Sequence, residues 1–205
     1  MLKVDFKLVK CALLAVSISF LASNANADMF GHGEAKYDDI HDFKKWKEVV
    51  KKAEMDEIVN GPITQKWHAD IAKIGAMGLT REQKIAAVND YMNKSIIYAE
   101  DIDVWGVTDY WTSPTEVLAK GYGDCEDYAI AKYYSLKQLG FNDEDMRIVV
   151  LKDTRKNELH AILVINENGT NYVLDNQNPN VMADSQIAYY QPIYSINEHN
   201  WWKHS

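Results

Sequence analysis

Between Ile40 and Val59 the apolar residues Ile40, Phe43, Trp46, Val49, Val50, Ile58 and Val59 recur at helical spacing until Gly61-Pro62 interrupts them. This pattern predicts an amphipathic helix. A second helix is expected over residues 65–76, ahead of Gly78. A third follows Thr80-Arg-Glu-Gln83, where the threonine and the glutamine can exchange capping bonds, with Ile85, Val88 and Met92 on one face. Residues 96–112 mix acids and aromatics without a period. Ser113-Pro114-Thr115-Glu116 then supplies an N-cap, a proline at the first helical position and a capping glutamate, for a short helix ending at Gly121. Asp124 can cap the next helix, residues 125–139, in which Ala129, Ile130, Tyr133 and Leu136 suit burial and which Gly140 closes.

Beyond Gly140 the period changes to that of strands, over residues 147–152, 159–165, 171–174 and 191–196. Helices over 40–95 and strands over 147–196 predict an α+β domain, its helical half packed on an antiparallel sheet and helix 125–139 at its centre. The stretch around Gly31-His32-Gly33 carries no pattern and reads as mobile, and Trp201-Trp202 finds no explanation.

The start of the chain departs from this scheme. Lys3, Lys7 and Lys10 precede an apolar run from Ala12 to Leu21, and Ala25-Asn26-Ala27 has the form of a signal-peptidase site. Residues 1–27 read as a signal peptide and residues 28–205 as a single exported domain. No segment reaches the roughly 20 apolar residues of a membrane span, so the protein is expected to be periplasmic and not embedded in a membrane. The formal charge is −8, and more negative once the lysines of the leader are gone. Such a surface argues against nucleic acid as a partner.

After cleavage Cys125 is the only cysteine, which rules out an intramolecular disulfide. A lone thiol is commonly a small buried hydrophobe. Here it stands at the first turn of a helix, where free amides and the dipole favour a thiolate, behind Gly121 and Gly123. Asp124, Glu126 and Asp127 oppose that, since neighbouring negative charge raises a thiol pKa, so an imidazolium or a cation must offset them. Of the histidines only His160 lies inside a predicted strand. Asn168-Gly169 is a two-residue type I′ hairpin signal that pairs Glu167 with Thr170 and places Asp175 opposite Ile162, making it a diagonal neighbour of His160 on the same face. Cys125, His160 and Asp175 then carry the logic of nucleophile, base and orienting acid. The acids Asp124, Glu126 and Asp127 read equally as ordinary helix N-terminal charge or as hard oxygen donors for a divalent cation. No zinc signature is present, and Asp101-x-Asp103 does not continue as an EF-hand.

With these motifs, over roughly residues 80–202, the chain resembles the LapG group of bacterial transglutaminase-like cysteine proteinases. The likeness runs through Trp105-Gly106, Asp109-Tyr110-Trp111, the Ser113–Glu116 cap, Gly121-Tyr-Gly-Asp-Cys-Glu-Asp-Tyr-Ala-Ile-Ala-Lys132, Leu159-His160-Ala161, Val173-Leu-Asp-Asn176 and Pro192-Ile-Tyr-Ser-Ile-Asn197. It implies a papain-like fold, a Cys125-His160-Asp175 triad, and calcium held at Asp124 and Glu126 and, less centrally, at Asp127. It further implies cleavage near an Ala-Ala site in the N-terminal region of a large biofilm adhesin, releasing it from the cell surface. The implied inhibitor is the periplasmic domain of an inner-membrane cyclic-di-GMP receptor. Two other readings remain: a transglutaminase-like amidase or peptidase acting on cell-wall peptides, and a non-catalytic binding module.

Overall fold

The computed structural model describes residues 29–205, and the segment read as a signal peptide lies outside them. In chain order the elements begin with strand β1 (Glu34–Tyr37) and helices α1 (Lys44–Val59), α2 (Pro62–Gly75) and α3 (Arg81–Ser95). Strand β2 (Ile97–Tyr98), helices α4 (Asp101–Val104) and α5 (Pro114–Lys120), strand β3 (Tyr122–Gly123) and helix α6 (Cys125–Gln138) follow. The chain closes with strands β4 (Met146–Asp153), β5 (Glu158–Glu167), β6 (Thr170–Leu174), β7 (Met182–Ala183), β8 (Tyr190–Ile196) and β9 (Trp201–His204).

Local signals explain most of these boundaries. Thr80 and Gln83 exchange capping bonds at α3, as do Ser113 and Glu116 at α5, and Gly121 ends α5 in the left-handed region. Two starts differ from the periodicity. α1 opens at Lys44, because Ile40 and Phe43 pack from an irregular lead-in. α2 opens at Pro62, which serves as a helix-starting proline, three residues before the expected start.

The main sheet has seven strands in the order β1-β9-β8-β4-β5-β6-β7, every neighbouring pair antiparallel. One face lies under the helices, where Tyr133, Leu136, Trp46, Ile71 and Met92 pack with Ile148, Leu163 and Ile165. The other is covered by Met29, Ile187 and Tyr190 against Leu151, Ile162 and Val164. Burial on both faces explains why β5 reads Ala161-Ile-Leu-Val-Ile165 without alternation. Each large apolar side chain so buried contributes about 1.5–3 kcal/mol.

The stretch expected to be mobile is tied down. Met29 bridges His32, and β1 pairs with β9 from Glu34 opposite His204 to Tyr37 opposite Trp201. Trp201 stacks on Tyr37 at 4.4 Å between ring centroids, and the Arg147 guanidinium lies 3.7 Å from the Trp202 ring, so both tryptophans fasten this edge.

Candidate active site

α6 aims its first turn at one end of the sheet. At the N-cap, Asp124 donates its backbone N–H to Asp127 Oδ2, 3.3 Å away. Asp127 Oδ1 accepts from the backbone and hydroxyl of Thr112, at 2.9 and 2.6 Å. Gly123 just before is packed, and a Cβ there would stand 2.6 Å from Asp127 Oδ2 and 2.8 Å from Val117 Cγ2. A short parallel pairing of β2 with β3 carries this glycine to the helix start.

Cys125, half-buried, is the first residue of the helix. Its thiol contacts Glu126 Oε2 at 3.2 Å. Burial, then the charges of Glu126 and Asp124, push the thiol well above its ordinary range, against the pull of the Ala161 amide. The conflict read from the flanking acids is therefore present in the fold.

The residue before Ala161 is His160. Asn168 and Gly169 both adopt positive φ, 54° and 81°, as a type I′ turn requires, and the ladder runs from Glu167 opposite Thr170 to Leu163 opposite Leu174. One step past its end, Asp175 Oδ1 lies 2.9 Å from His160 Nε2, with both side chains buried. Asp175 Oδ1 also accepts from the Gln177 backbone at 2.8 Å, and Oδ2 from the Tyr190 hydroxyl at 2.6 Å. Burial works to raise this carboxyl, but the bonds and charge of His160, with those of Tyr190 and Gln177, outweigh it and hold the carboxyl below the usual carboxylate range. An ionised carboxylate only accepts, so Nε2 is the donor, and Nδ1 is the ring nitrogen turned away from Asp175. Gln177 Nε2 stands 3.4 Å from Nδ1.

Tyr190 and Gln177 were not foreseen. Gln177 lies in the irregular stretch after β6, and Tyr190 opens β8 opposite Asp153, one residue before the strand expected over 191–196. Tyr190 arrives through a bulge in β8, where pairing with β4 shifts between Val150 and Leu151 beside Pro192.

The acids expected around Cys125 gain two further neighbours. Carboxylate oxygens of Asp101, Asp124 and Asp127 lie within 4.8 Å of one another, and so do those of Asp101, Asp109 and Glu126. Asp101 is only 2 % exposed, and neither its Oδ1 nor Asp124 Oδ1 has a hydrogen-bond partner among the described residues. Asp101 opens α4, and its other oxygen accepts from the Tyr110 backbone. Burial, then the charges of Glu126 and Asp109, raise Asp101 to about 6. Burial, with Glu126 and Asp101 against the Thr112 bonds, raises Asp127 to about 7, and burial and three acidic neighbours raise Asp124 further. Orphaned, buried, mutually repelling carboxylates are the donor set a hard divalent cation fits. The signal for Asp101 was in the sequence, in the Asp101-x-Asp103 pair, but there it reads as a failed EF-hand.

Comparison with solved structures finds Legionella pneumophila LapG at 26 % identity and a TM-score of 0.60, covering 76 % of this chain and 87 % of that one. The calcium-bound form of that protein matches with the same identity and score over 77 % and 86 % of the two chains. Its EGTA-treated form matches over 76 % and 84 %. Comparison with curated proteins gives no match. The profile of one family covers residues 65–204, taking in α6, the acids around it and the whole β4–β6 hairpin region. With that match over most of its length, the chain belongs to the bacterial transglutaminase-like cysteine proteinases.

Proposed function

We propose that Cys125, His160 and Asp175 are the catalytic triad of a calcium-dependent periplasmic endopeptidase that cuts the N-terminal region of a large surface adhesin near an Ala-Ala site. The observation that carries this reading is the buried His160–Asp175 bond at 2.9 Å, one residue along β5 from Ala161, whose amide lowers the Cys125 thiol at the start of α6. Nδ1 of His160 takes the thiol proton, and the thiolate attacks the substrate carbonyl carbon. The Cys125 backbone N–H, free at the helix start, binds the developing oxyanion. The imidazolium returns its proton to the leaving amine, and a water activated by Nδ1 then hydrolyses the acyl-enzyme. Asp175 holds the ring with Nε2 as donor throughout.

Asp101, Asp124 and Glu126, with Asp127 behind them, would hold calcium, whose charge offsets the acids that oppose a Cys125 thiolate. The calcium-bound and EGTA-treated forms of the Legionella protein support this assignment. Export rests on residues 1–27, and inhibition by the periplasmic domain of a cyclic-di-GMP receptor rests on the likeness to LapG.

The test is cleavage of a recombinant N-terminal adhesin fragment carrying an Ala-Ala pair. The wild type is expected to cut it in calcium and to stop in EGTA, with Cys125→Ala inactive in both. Full activity of Cys125→Ala would end the triad reading, and activity indifferent to EGTA would end the calcium one.

A further inference from the structure

The Asp175 carboxylate settles only one of the two ring nitrogens of His160. It accepts from Nε2, and leaves open whether Nδ1 stands as a bare acceptor or carries a proton. What Nδ1 meets is a side chain from the stretch after β6. The Gln177 backbone N–H donates to Asp175 Oδ1 at 2.8 Å, and the Gln177 side-chain Nε2 comes to 3.4 Å from Nδ1. A side-chain amide can present either of two ends to a neighbour, a donor NH2 or an acceptor oxygen. Lys156 decides between them. From the turn between β4 and β5 its Nζ donates to Gln177 Oε1, and an ammonium has no lone pair with which to accept. The oxygen is thereby committed to Lys156, and the NH2 is left for His160. Glu158, at 3.5 Å, shares the same ammonium.

His160 is 2 % exposed, whereas Gln177 and Lys156 are exposed, so the amide stands at the solvent edge of a buried ring. Water in its place would give or accept a hydrogen bond equally well and leave both states of Nδ1 open. An amide pinned by its oxygen can only give. We propose that Gln177 is a positioning residue: pointed by Lys156, its side-chain amide donates to Nδ1 of His160 and keeps that nitrogen the acceptor for the Cys125 proton. This inference rests on the triad reading. Once the proton has moved from the Cys125 sulfur to Nδ1, the new N–H faces the amide N–H, donor against donor. That opposition favours passing the proton on to the leaving amine, which restores the starting form of the ring.

Two substitutions of nearly equal size test it. Gln177→Met removes the donor and offers nothing, whereas Gln177→Glu keeps an oxygen for Lys156 and turns an acceptor towards Nδ1, which draws a proton onto that nitrogen. With the adhesin fragment in calcium, kcat is expected to fall roughly 3- to 10-fold in Gln177→Met, as for one lost hydrogen bond. In Gln177→Glu it is expected to fall roughly 100-fold or more, as the wrong tautomer does, with KM within about twofold in both. A residue that only fills the rim tolerates Glu as well as Met, so equal kcat values for the two overturn the proposal. Lys156→Met frees the amide to turn over, and is expected to lower kcat alone but to add less than about twofold to Gln177→Met; full additivity also overturns it. Nitrogen-15 NMR of the imidazoles at pH 8, with His160 assigned from its loss in His160→Asn, reads the proton without recourse to activity. Nδ1 is expected to be bare in the wild type and protonated in Gln177→Glu, and the same state in both sinks the idea. Activity retained in Cys125→Ala would remove the triad itself, whereas an inactive Cys125→Ala beside a Gln177→Glu as active as Gln177→Met would remove only the role of Gln177.

Discussion

At the scale of single residues the site is a chain of donors ending on one carboxylate. Asp175 accepts from His160, the Gln177 backbone and Tyr190, and the Tyr190 bond is the shortest of the three. Burial and the Asp175 charge push the Tyr190 phenol far up, so it remains a donor at every working pH. Tyr190→Phe leaves the ring packed 5.9 Å from His160 and removes only that bond. A buried hydrogen bond to a charged group is worth about 1.5–3 kcal/mol, so kcat is expected to fall roughly 10- to 100-fold with little change in KM, read from steady-state cleavage rates. Equal effects on KM and none on kcat would show that Tyr190 serves binding. His160 and Asp175 were legible because a two-residue turn fixes every pair behind it. Tyr190 was not, since it stands one residue ahead of the strand read over 191–196, and its place beside Asp175 depends on a bulge in the β4–β8 pairing that no local signal announces.

At the scale of elements, the start of α6 depends on how closely β3 approaches it. Gly123 stands where any Cβ would press on Asp127 and Val117, both parts of packed elements with no flexible end to yield. Gly123→Ala is expected to destabilise by about 1–3 kcal/mol, as overpacking does, and to disturb the Asp127 bonds to Thr112 and Asp124. Urea denaturation measures the first effect, and weakened calcium binding the second. A variant as stable as the wild type would mean that β3 gives way freely. Helices α3 and α5 could be placed from their capping residues alone, whereas β1 and β9 could not. The edge pair joins residues near the two ends of the described chain, so each strand lacks a local partner and the tryptophans that fasten it look like an unexplained tail. The two-residue strands β2 and β3 escape for a related reason: a two-residue run has no period to read.

At the scale of the whole molecule, the acid cluster couples folding to pH, and it would couple both to the calcium proposed for it. Asp101 and Asp127 have folded pKa values of about 6 and about 7, and Asp124 is raised further, all above the value near 4 of an unfolded carboxylate. A group raised on folding supplies stability that is whole below its unfolded pKa and is lost as pH rises through its folded pKa. In the metal-free protein this contribution therefore fades between about pH 4 and pH 7 and beyond. Other buried groups pull the opposite way: His204 is lowered to about 4 and Lys132 to about 7, so each disfavours the folded state while its unfolded form holds the extra proton. The melting temperature at any one pH mixes these effects. The increment on adding calcium separates them, because His204 and Lys132 contribute alike with and without the ion, while the cluster must shed its protons to bind it. Calorimetry in calcium and in EGTA is expected to give a small increment at pH 5 and a larger one at pH 8, and Asp124→Asn is expected to abolish most of it. An increment of the same size at both pH values would mean that calcium binds away from these carboxylates, and the acids around Cys125 would then be helix N-terminal charge alone.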